Sequence, residues 1–289
     1  IIAGLALVIM ETLSDFGAVE HFAVSTFTIG IYRTWFGMYD LNTAMQLASL
    51  LLIFVSFFLI IERIERRKLS YSYASSTFKT VDKQKLKGFK NLLAFIFCFT
   101  PLFIGFLMPI MEISNWALNY TSENFFSDIF LKSFVNTIIL GIMAGIICTL
   151  FAFLFNFLKR FEEGNYLKGM SFLLSMGYAI PGLVLAVGII QFFSLLDNNF
   201  LRSYFDLILT GSIVGLLIAY IIKSYALANN SIESGYERIN DAIDDVSLSL
   251  KTSKLKIFFQ VHMPLLKTSI FTSLVLVISE VIKELPATL

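Results

Sequence analysis

The sequence is poor in charged residues, cysteines and histidines. Only 15% of its 289 residues are charged, and it has two cysteines and two histidines, whereas about 25% of residues are charged in ordinary soluble domains. Cys98 and Cys148 lie inside apolar runs, so neither is expected to form a disulfide or bind a metal. His21 and His262 are too far apart in sequence to form a local metal motif. These shortages argue against a soluble, disulfide-stabilised or metal-binding domain.

What the sequence does contain is apolar residues, which make up 57% of it and give a mean hydropathy of +0.78. Such a composition is typical of a membrane protein. The net charge of +1 gives no indication of nucleic-acid binding, because the charges are confined to a few loops. The apolar runs are long and continuous, which favours helices over membrane-spanning strands. An all-α, multi-pass membrane protein is therefore expected.

Seven apolar runs are candidates for membrane spans, because a membrane-spanning helix needs roughly 17–25 mostly apolar residues. They are residues 1–13, 42–61, 90–111, 132–158, 168–195, 205–227 and 266–283. The first and last are expected to be incomplete or interrupted.

The loops between the spans alternate in their content of Lys and Arg. The loops 62–90, 159–168 and 228–265 are basic, whereas 112–131 has no Lys or Arg. Under the positive-inside rule the basic loops are cytoplasmic, and 14–41 and 112–131 are external. Lysines of the first basic loop could also contact anionic lipid.

Two segments near the ends of the chain resemble each other. "LVIMETLSDFGA" (7–18) and "LVISEVIKELPA" (276–287) share Leu, Val, Ile, Glu and Ala in place. The matching acidic positions are Glu11 with Glu280 and Asp15 with Glu284. Acidic residues within membrane spans are costly, so the shared pattern indicates a duplicated unit.

The duplication predicts three parts in the chain. Residues 1–61 would be the C-terminal part of a first repeat with two spans, and 62–89 a cytoplasmic basic linker. Residues 90–289 would be a second repeat with five spans, truncated at its C-terminus. The sequence is thus expected to be a fragment of a longer protein.

The four matched acids have two interpretations. Carboxylate oxygens suit a hard cation, so Glu11, Asp15, Glu280 and Glu284 could line a translocation path or an external gate. Alternatively they cap helices or pair with basic residues of a partner, which we favour because a transporter must release its ion. No metal ligand set is assigned.

The loop 228–265 is polar yet has helical periodicity. Its apolar residues are spaced by three and four: Ile232, Tyr236, Ile239, Ile243, Val246 and Leu250. Its polar face carries Glu233, Glu237, Asp241, Asp244, Asp245 and Ser249. The spacing predicts one continuous helix that packs its apolar stripe on the spans, followed by a short helix capped by Thr252 or Ser253. The acidic face favours docking to a partner over lying on a membrane surface, where basic residues are usual.

"ERINDAIDDVSLSLKTSKLKIFFQVHMPLL" resembles the cytoplasmic coupling loop of permeases from ATP-binding-cassette (ABC) importers. Asp245-Val246-Ser247 stand at the Glu-Ala-Ala positions of that loop, Lys251 replaces its Gly, and Val261-His262-Met263-Pro264 stand for Ile-x-Leu-Pro. The Gly replacement puts the tight turn in question, because glycine enters positive φ freely. The resemblance implies that these residues contact an ATPase: Ile239, Asp241, Asp244, Asp245, Val246, Ser247, Ser249, Leu250, Lys251, Val261, Met263 and Pro264.

Segments 10–40 and 282–289 look most like the two-repeat permeases of ferric-iron importers, in which one chain carries both membrane halves. The resemblance implies a type I permease fold in a bacterial inner membrane and no covalent chemistry. It also implies a cytoplasmic ATPase dimer that carries ATP-Mg, a periplasmic substrate-binding protein, and no cofactor on this chain. Thiamine, polyamine or another small solute are alternative substrates. A secondary transporter, an intramembrane enzyme and a channel are rival classes.

Overall fold

The computed structural model describes residues 2–68, 87–119, 127–162, 165–198, 208–285 and 288. These residues form helices and turns without any strand, which confirms the all-α prediction. Most of the basic linker predicted at 62–89 lies outside the described residues, and the three-part division of the chain stays a prediction. The chain divides into two compact units, one of residues 1–69 with 136–289 and one of residues 70–135.

The larger unit begins with helices α1 to α4. These are α1 (Ile2–Ser14), α2 (Gly17–His21), α3 (Phe27–Tyr32), a π-helical turn (Arg33–Gly37) and α4 (Leu41–Lys68). The predicted external loop 14–41 is therefore structured. Ile29 and Ile31 are buried in it and pack with residues of α4 and α9, because Thr26 caps α3 and the Thr28 hydroxyl donates to the Asp15 carbonyl at 2.9 Å.

The smaller unit contains one long apolar helix. Helix α5 (Phe89–Leu102) continues through a π-helical turn (Phe103–Leu107) into α6 (Met108–Asn119). Pro101 lies just before the wide turn, and a proline lacks the backbone donor that a regular α-helix needs. The 31 residues would extend about 46 Å at 1.5 Å per residue. The helix is thus longer than the predicted span 90–111, because it continues beyond the thickness of the hydrocarbon core.

The rest of the larger unit is formed by α7 to α14. These are α7 (Asp128–Phe161), α8 (Asn165–Ser175) with a 3₁₀ turn (Met176–Ala179), α9 (Gly182–Leu196), α10 (Ile213–Tyr236), α11 (Ala242–Ser249), α12 (Lys254–Ile257) with a π-helical turn (Phe258–His262), α13 (Met263–Leu265) and α14 (Lys267–Lys283). The first turns of α7 belong to the smaller unit.

Each of the seven predicted spans falls on a helix. Among the described residues four helices are long and apolar enough to cross a membrane, or six if two bent pairs each count as one span. The first predicted span corresponds to α1, whose 13 residues are fewer than a span needs. The span predicted at 168–195 is not straight, because its two halves meet at 113°.

The bend between α8 and α9 is fixed by close packing. Pro181 precedes α9, and the 3₁₀ turn lies directly against α10. A Cβ atom added at Gly177 would lie 2.0 Å from the Ile222 carbonyl oxygen. Only glycine permits this approach, as expected where membrane helices pack closely.

The main core of the larger unit lies between α7, α10 and α14. Ala144, Cys148, Ala228 and Val277 are fully buried there. Polar pairs cross the same interfaces: Asn156 Nδ2 donates to Asn229 Oδ1 at 2.8 Å, and Thr149 and Ser273 hydroxyls lie 2.8 Å apart. Such pairs fix the register between helices. Apolar contacts alone do this poorly, because lipid tails solvate an apolar helix surface as well as a neighbouring helix does.

Candidate functional site: a polar loop and a charged cavity

We call residues 237–266, between α10 and α14, the polar loop. It contains the short helices α11, α12 and α13. The short helix predicted after residue 250 is α12, which Ser253 caps by accepting a hydrogen bond from Lys256 N at 3.4 Å. The predicted continuous helix through residues 232–250 is wrong. Helix α10 ends at Tyr236, and the chain turns before α11 begins at Ala242.

The helix breaks because a side chain from elsewhere takes its carbonyl oxygens. Arg160, at the end of α7, donates from Nη1 to the Tyr236 carbonyl at 3.1 Å and from Nη2 to the Ile239 carbonyl at 2.9 Å. These contacts put the predicted cytoplasmic loops 159–168 and 228–265 at the same end of the helices.

Asp244 is not on an open acidic face, contrary to the prediction. It is the buried residue of α11, and its carboxylate forms an ion pair with Arg160 Nε. His262 Nε2 lies 2.7 Å from the other carboxylate oxygen, and the His262 ring is fully buried. A buried charge needs such partners, so this carboxylate is fully committed within the chain. Asp241 and Asp245 remain exposed.

The predicted apolar stripe packs on the spans only in its first half. Ile232 and Tyr236 are buried and Ile239 is partly buried in the core. Val246 and Leu250 are 59% and 75% exposed, so the prediction that they pack on the spans is wrong. They instead leave apolar surface beside exposed acidic residues, a combination typical of a docking surface.

Lys251 makes the turn that the family's glycine would make. Its φ is +56°, in the left-handed region where a side chain is unfavourable. The turn is closed by hydrogen bonds from Lys251 N to the Leu248 carbonyl at 2.9 Å and from Thr252 N to the Ser247 carbonyl at 3.2 Å. The tight turn is therefore present although the glycine is not.

A charged cavity lies in the same unit, with a volume of about 450 Å³. All four acids singled out in the sequence line it, together with two lysines and a tyrosine: Glu11, Asp15, Glu280, Glu284, Lys223, Lys283 and Tyr178. We call this the acid–lysine cavity. The four acids that match in the repeat therefore line one cavity.

Lysines compensate most of the carboxylates in the cavity. Lys283 Nζ lies 3.3 Å from Glu11 Oε1 and 2.9 Å from Glu280 Oε2, so the two acids matched in the repeat share one lysine. Lys223 forms an ion pair with Glu284, whose other carboxylate oxygen is buried and has no hydrogen-bond partner among the described residues. Asp15 Oδ1 accepts from Ala18 N at 3.4 Å, the helix-capping role that the sequence left open.

The acids of the cavity lie at the ends of their helices, because Glu11 and Asp15 are at the end of α1 and Glu280 and Glu284 are at the end of α14. Lys223 lies near the middle of α10, about 15 Å from its first residue at 1.5 Å per residue. Within the described parts of the chain, no three His, Cys, Asp or Glu side chains are placed to hold a metal ion.

Sequence reasoning missed the basic partners in both places. Arg160 and Lys223 pair across 84 and 61 residues with Asp244 and Glu284, and no local pattern encodes such pairings. The one available signal is that a lysine inside an apolar run, as Lys223 is, needs an internal acid.

The comparisons with known proteins agree with this architecture. Residues 164–289 match the family of binding-protein-dependent transport system inner membrane components. Residues 164–289 are therefore similar to inner-membrane components of such transport systems, in agreement with the long apolar helices among the described residues.

Relatives with iron in their names match nearly the whole chain. The chain is 24% identical over 99% of its length to the Fe(3+)-transport system permease protein FbpB 2 of Haemophilus influenzae, covering 56% of that protein. It is 28% identical over 82% of its length to the putative ferric transport system permease protein FbpB 1 of the same species, covering 38% of it. A shorter match, 31% identical over 26% of the chain, covers 30% of the molybdate/tungstate transport system permease protein WtpB of Methanocaldococcus jannaschii. The chain thus spans between 30% and 56% of the length of these three relatives.

Proposed function

We propose that the protein carrying this chain imports ferric iron by alternating access, driven by a separate cytoplasmic ATPase dimer that holds ATP-Mg. A periplasmic binding protein would deliver the iron to the outward-open state. The proposal rests mainly on one observation: 99% of the chain aligns, at 24% identity, with an Fe(3+)-transport system permease. The polar loop also keeps the residue spacing of the family's coupling loop. In this account the chain itself performs no covalent chemistry.

The polar loop would dock in a cleft of the ATPase through its exposed residues. Val246, Leu250 and Asp245 offer apolar and acidic surface on the same short helix and turn. Asp244 is excluded from this contact surface because it is buried against Arg160. The other loop residues for which the resemblance implies contact with the ATPase keep that proposed role.

The charge of the acid–lysine cavity favours a cation over an oxyanion as substrate. Four carboxylates face two lysines there, and oxygen ligands suit a hard trivalent ion. The shorter similarity to a molybdate and tungstate permease makes oxyanion transport the second candidate. An oxyanion would meet a net negative cavity, which opposes its entry.

Reconstitution of the complete transporter in proteoliposomes tests the proposal. We expect uptake of radioactive Fe³⁺ that requires the binding protein, the ATPase and hydrolysable ATP. Molybdate, thiamine and a polyamine, each offered with its own binding protein, serve as alternative substrates. Iron uptake driven by an ion gradient without the ATPase would instead identify a secondary transporter, and uptake of molybdate but not iron would reverse the substrate assignment.

A further inference from the structure

We propose that Arg160 is the positioning residue that joins the coupling helix α11 to the transmembrane helix α7, so that α11 and the end of α7 move as one body. This inference rests on the proposed function, because it assumes that the ATPase acts on the polar loop. We call Arg160, Asp244 and His262 the latch.

Among the described residues, the five polar and ring contacts of Arg160 go to the polar loop or to the end of α10. Besides the two carbonyl contacts, Nε pairs with Asp244, Nη2 lies 3.0 Å from Asp241 Oδ1, and the guanidinium lies over the Tyr236 ring at 5.8 Å. A planar guanidinium has donors in a fixed fork. One side chain can therefore hold the end of α10, the turn and α11 in a single arrangement.

Helix α11 has little else to hold it in place. Its eight residues, all described, contain one buried residue, and that residue is Asp244. Ile243, Val246 and Leu248 are 37%, 59% and 43% exposed. An external force on α11 is therefore transmitted to the membrane helices chiefly through the Asp244 carboxylate.

The latch is enclosed by aromatic side chains. The His262 ring lies against Phe157 and Phe161 of α7 and against Tyr236, with centroid distances of 5.4, 6.1 and 5.3 Å. The side chains of Arg160 and Asp244 are only 12% and 9% exposed. Because so little water reaches them, each of the two charges is stabilised mainly by the other. The pair therefore resists separation during a conformational change.

The latch is also close to the interface between α7 and α10. The buried Asn156–Asn229 pair lies one turn from Arg160 along α7 and joins this helix to α10. Movement of α7 at Arg160 would therefore move the α7–α10 interface, which continues toward the acid–lysine cavity on α10.

The first test measures coupling in the complete reconstituted transporter. Arg160→Ala and Asp244→Asn are expected to lower the amount of substrate moved per ATP by at least about fivefold, while assembly with the ATPase and basal ATP hydrolysis persist. Arg160→Lys keeps the positive charge but loses the planar set of N–H donors, so it should give an intermediate ratio of substrate moved to ATP hydrolysed. Lys159→Ala is the matched control, since its ion pair with Glu233 is partly exposed and contributes little. Wild-type substrate-to-ATP ratios in Arg160→Ala would overturn the proposal.

A distance measurement keeps the proposal testable if the alanine variant fails to fold. Spin labels at Glu162→Cys and Ala242→Cys, both exposed positions, are placed in a protein whose exposed Cys98 is replaced by Ala. The latch predicts the same label distance in the nucleotide-free and ATP-trapped states. A distance that changes between those states would contradict it.

The two proposals fail in different ways. If the wild-type protein neither assembles with an ATPase nor takes up substrate, the proposed function fails. The latch is then tested without nucleotide: the label distance distribution should be narrow in the wild type and broad in Arg160→Lys, and equal distributions would reject it.

Discussion

The two clusters of acids and bases in this molecule differ in how much water they meet. In the latch, the side chains of Arg160, Asp244 and His262 are 12%, 9% and 0% exposed. In the acid–lysine cavity, the pair of Lys283 and Glu11 is 53% and 60% exposed, whereas the pair of Lys223 and Glu284 is only 12% and 5% exposed. Partners that share little water are held together strongly, whereas hydrated ion pairs exchange partners readily. The latch therefore suits a rigid joint, whereas the hydrated pair of Lys283 and Glu11 can exchange partners.

Asp244→Ala is expected to have the largest effect, because it leaves Arg160 buried without its carboxylate. Breaking such a pair costs roughly 3–5 kcal/mol of stability. Denaturant or thermal unfolding of the purified protein in detergent measures the change. Asp245→Ala removes the neighbouring, exposed carboxylate and should stay within about 0.5 kcal/mol. Equal effects of the two substitutions would show that Asp244 is not held in a dry pair.

Glu284→Ala probes the most buried part of the cavity. It removes the partner of Lys223, whose side chain is 12% exposed. We expect a loss of about 1–3 kcal/mol, smaller than for Asp244 because, among the described residues, the Glu284 carboxylate contacts Lys223 through one oxygen, whereas both oxygens of Asp244 have partners. The same variant should lower iron uptake without uncoupling ATP hydrolysis. If Glu284→Ala uncouples ATP hydrolysis while stability stays normal, the cavity and the latch do not have separate roles.

Lys251→Gly should stabilise the protein, because it relieves the left-handed backbone of a residue with a side chain. The expected gain is about 1 kcal/mol. The free energy of unfolding of Lys251→Gly measures this gain. Lys256→Gly is the control, because it places glycine within α12 and should be destabilising. A destabilised Lys251→Gly would mean that the lysine side chain itself holds the turn.

Glu11→Ala should have the smallest effect on stability. Its contact with Lys283 is more than half exposed, and such pairs contribute about 0–1 kcal/mol. Unfolding under the conditions used for Glu284→Ala gives a direct comparison. A loss as large as that of Glu284 would show that the cavity is as dry as the latch.

Much of the fold follows from local properties of the sequence. Apolar runs located the four long apolar helices among the described residues, and the cap residue Ser253 located the start of α12. The bend before α9 was only partly foreseeable: Gly177 and Pro181 are visible in the sequence, but the 113° angle results from packing against α10.

The errors in the candidate site share one physical cause. Periodicity treats a segment as if only its own neighbours mattered, so Ile232 to Leu250 was predicted as one helix with an open acidic face. Arg160 overrides that pattern by binding the carbonyls where the helix ends and by drawing Asp244 inward. A long-range ion pair of this kind leaves no local trace in one sequence.

The most direct test of the account is a cross-linking experiment on the polar loop of the complete transporter. A photoreactive amino acid is placed at exposed Leu250 or, as a control, at exposed Phe22 of the predicted external segment. The account predicts that the probe at Leu250 cross-links to the ATPase and that the probe at Phe22 does not. An ATPase that assembles and hydrolyses ATP without cross-linking to Leu250 would contradict the assignment of this loop as the coupling surface.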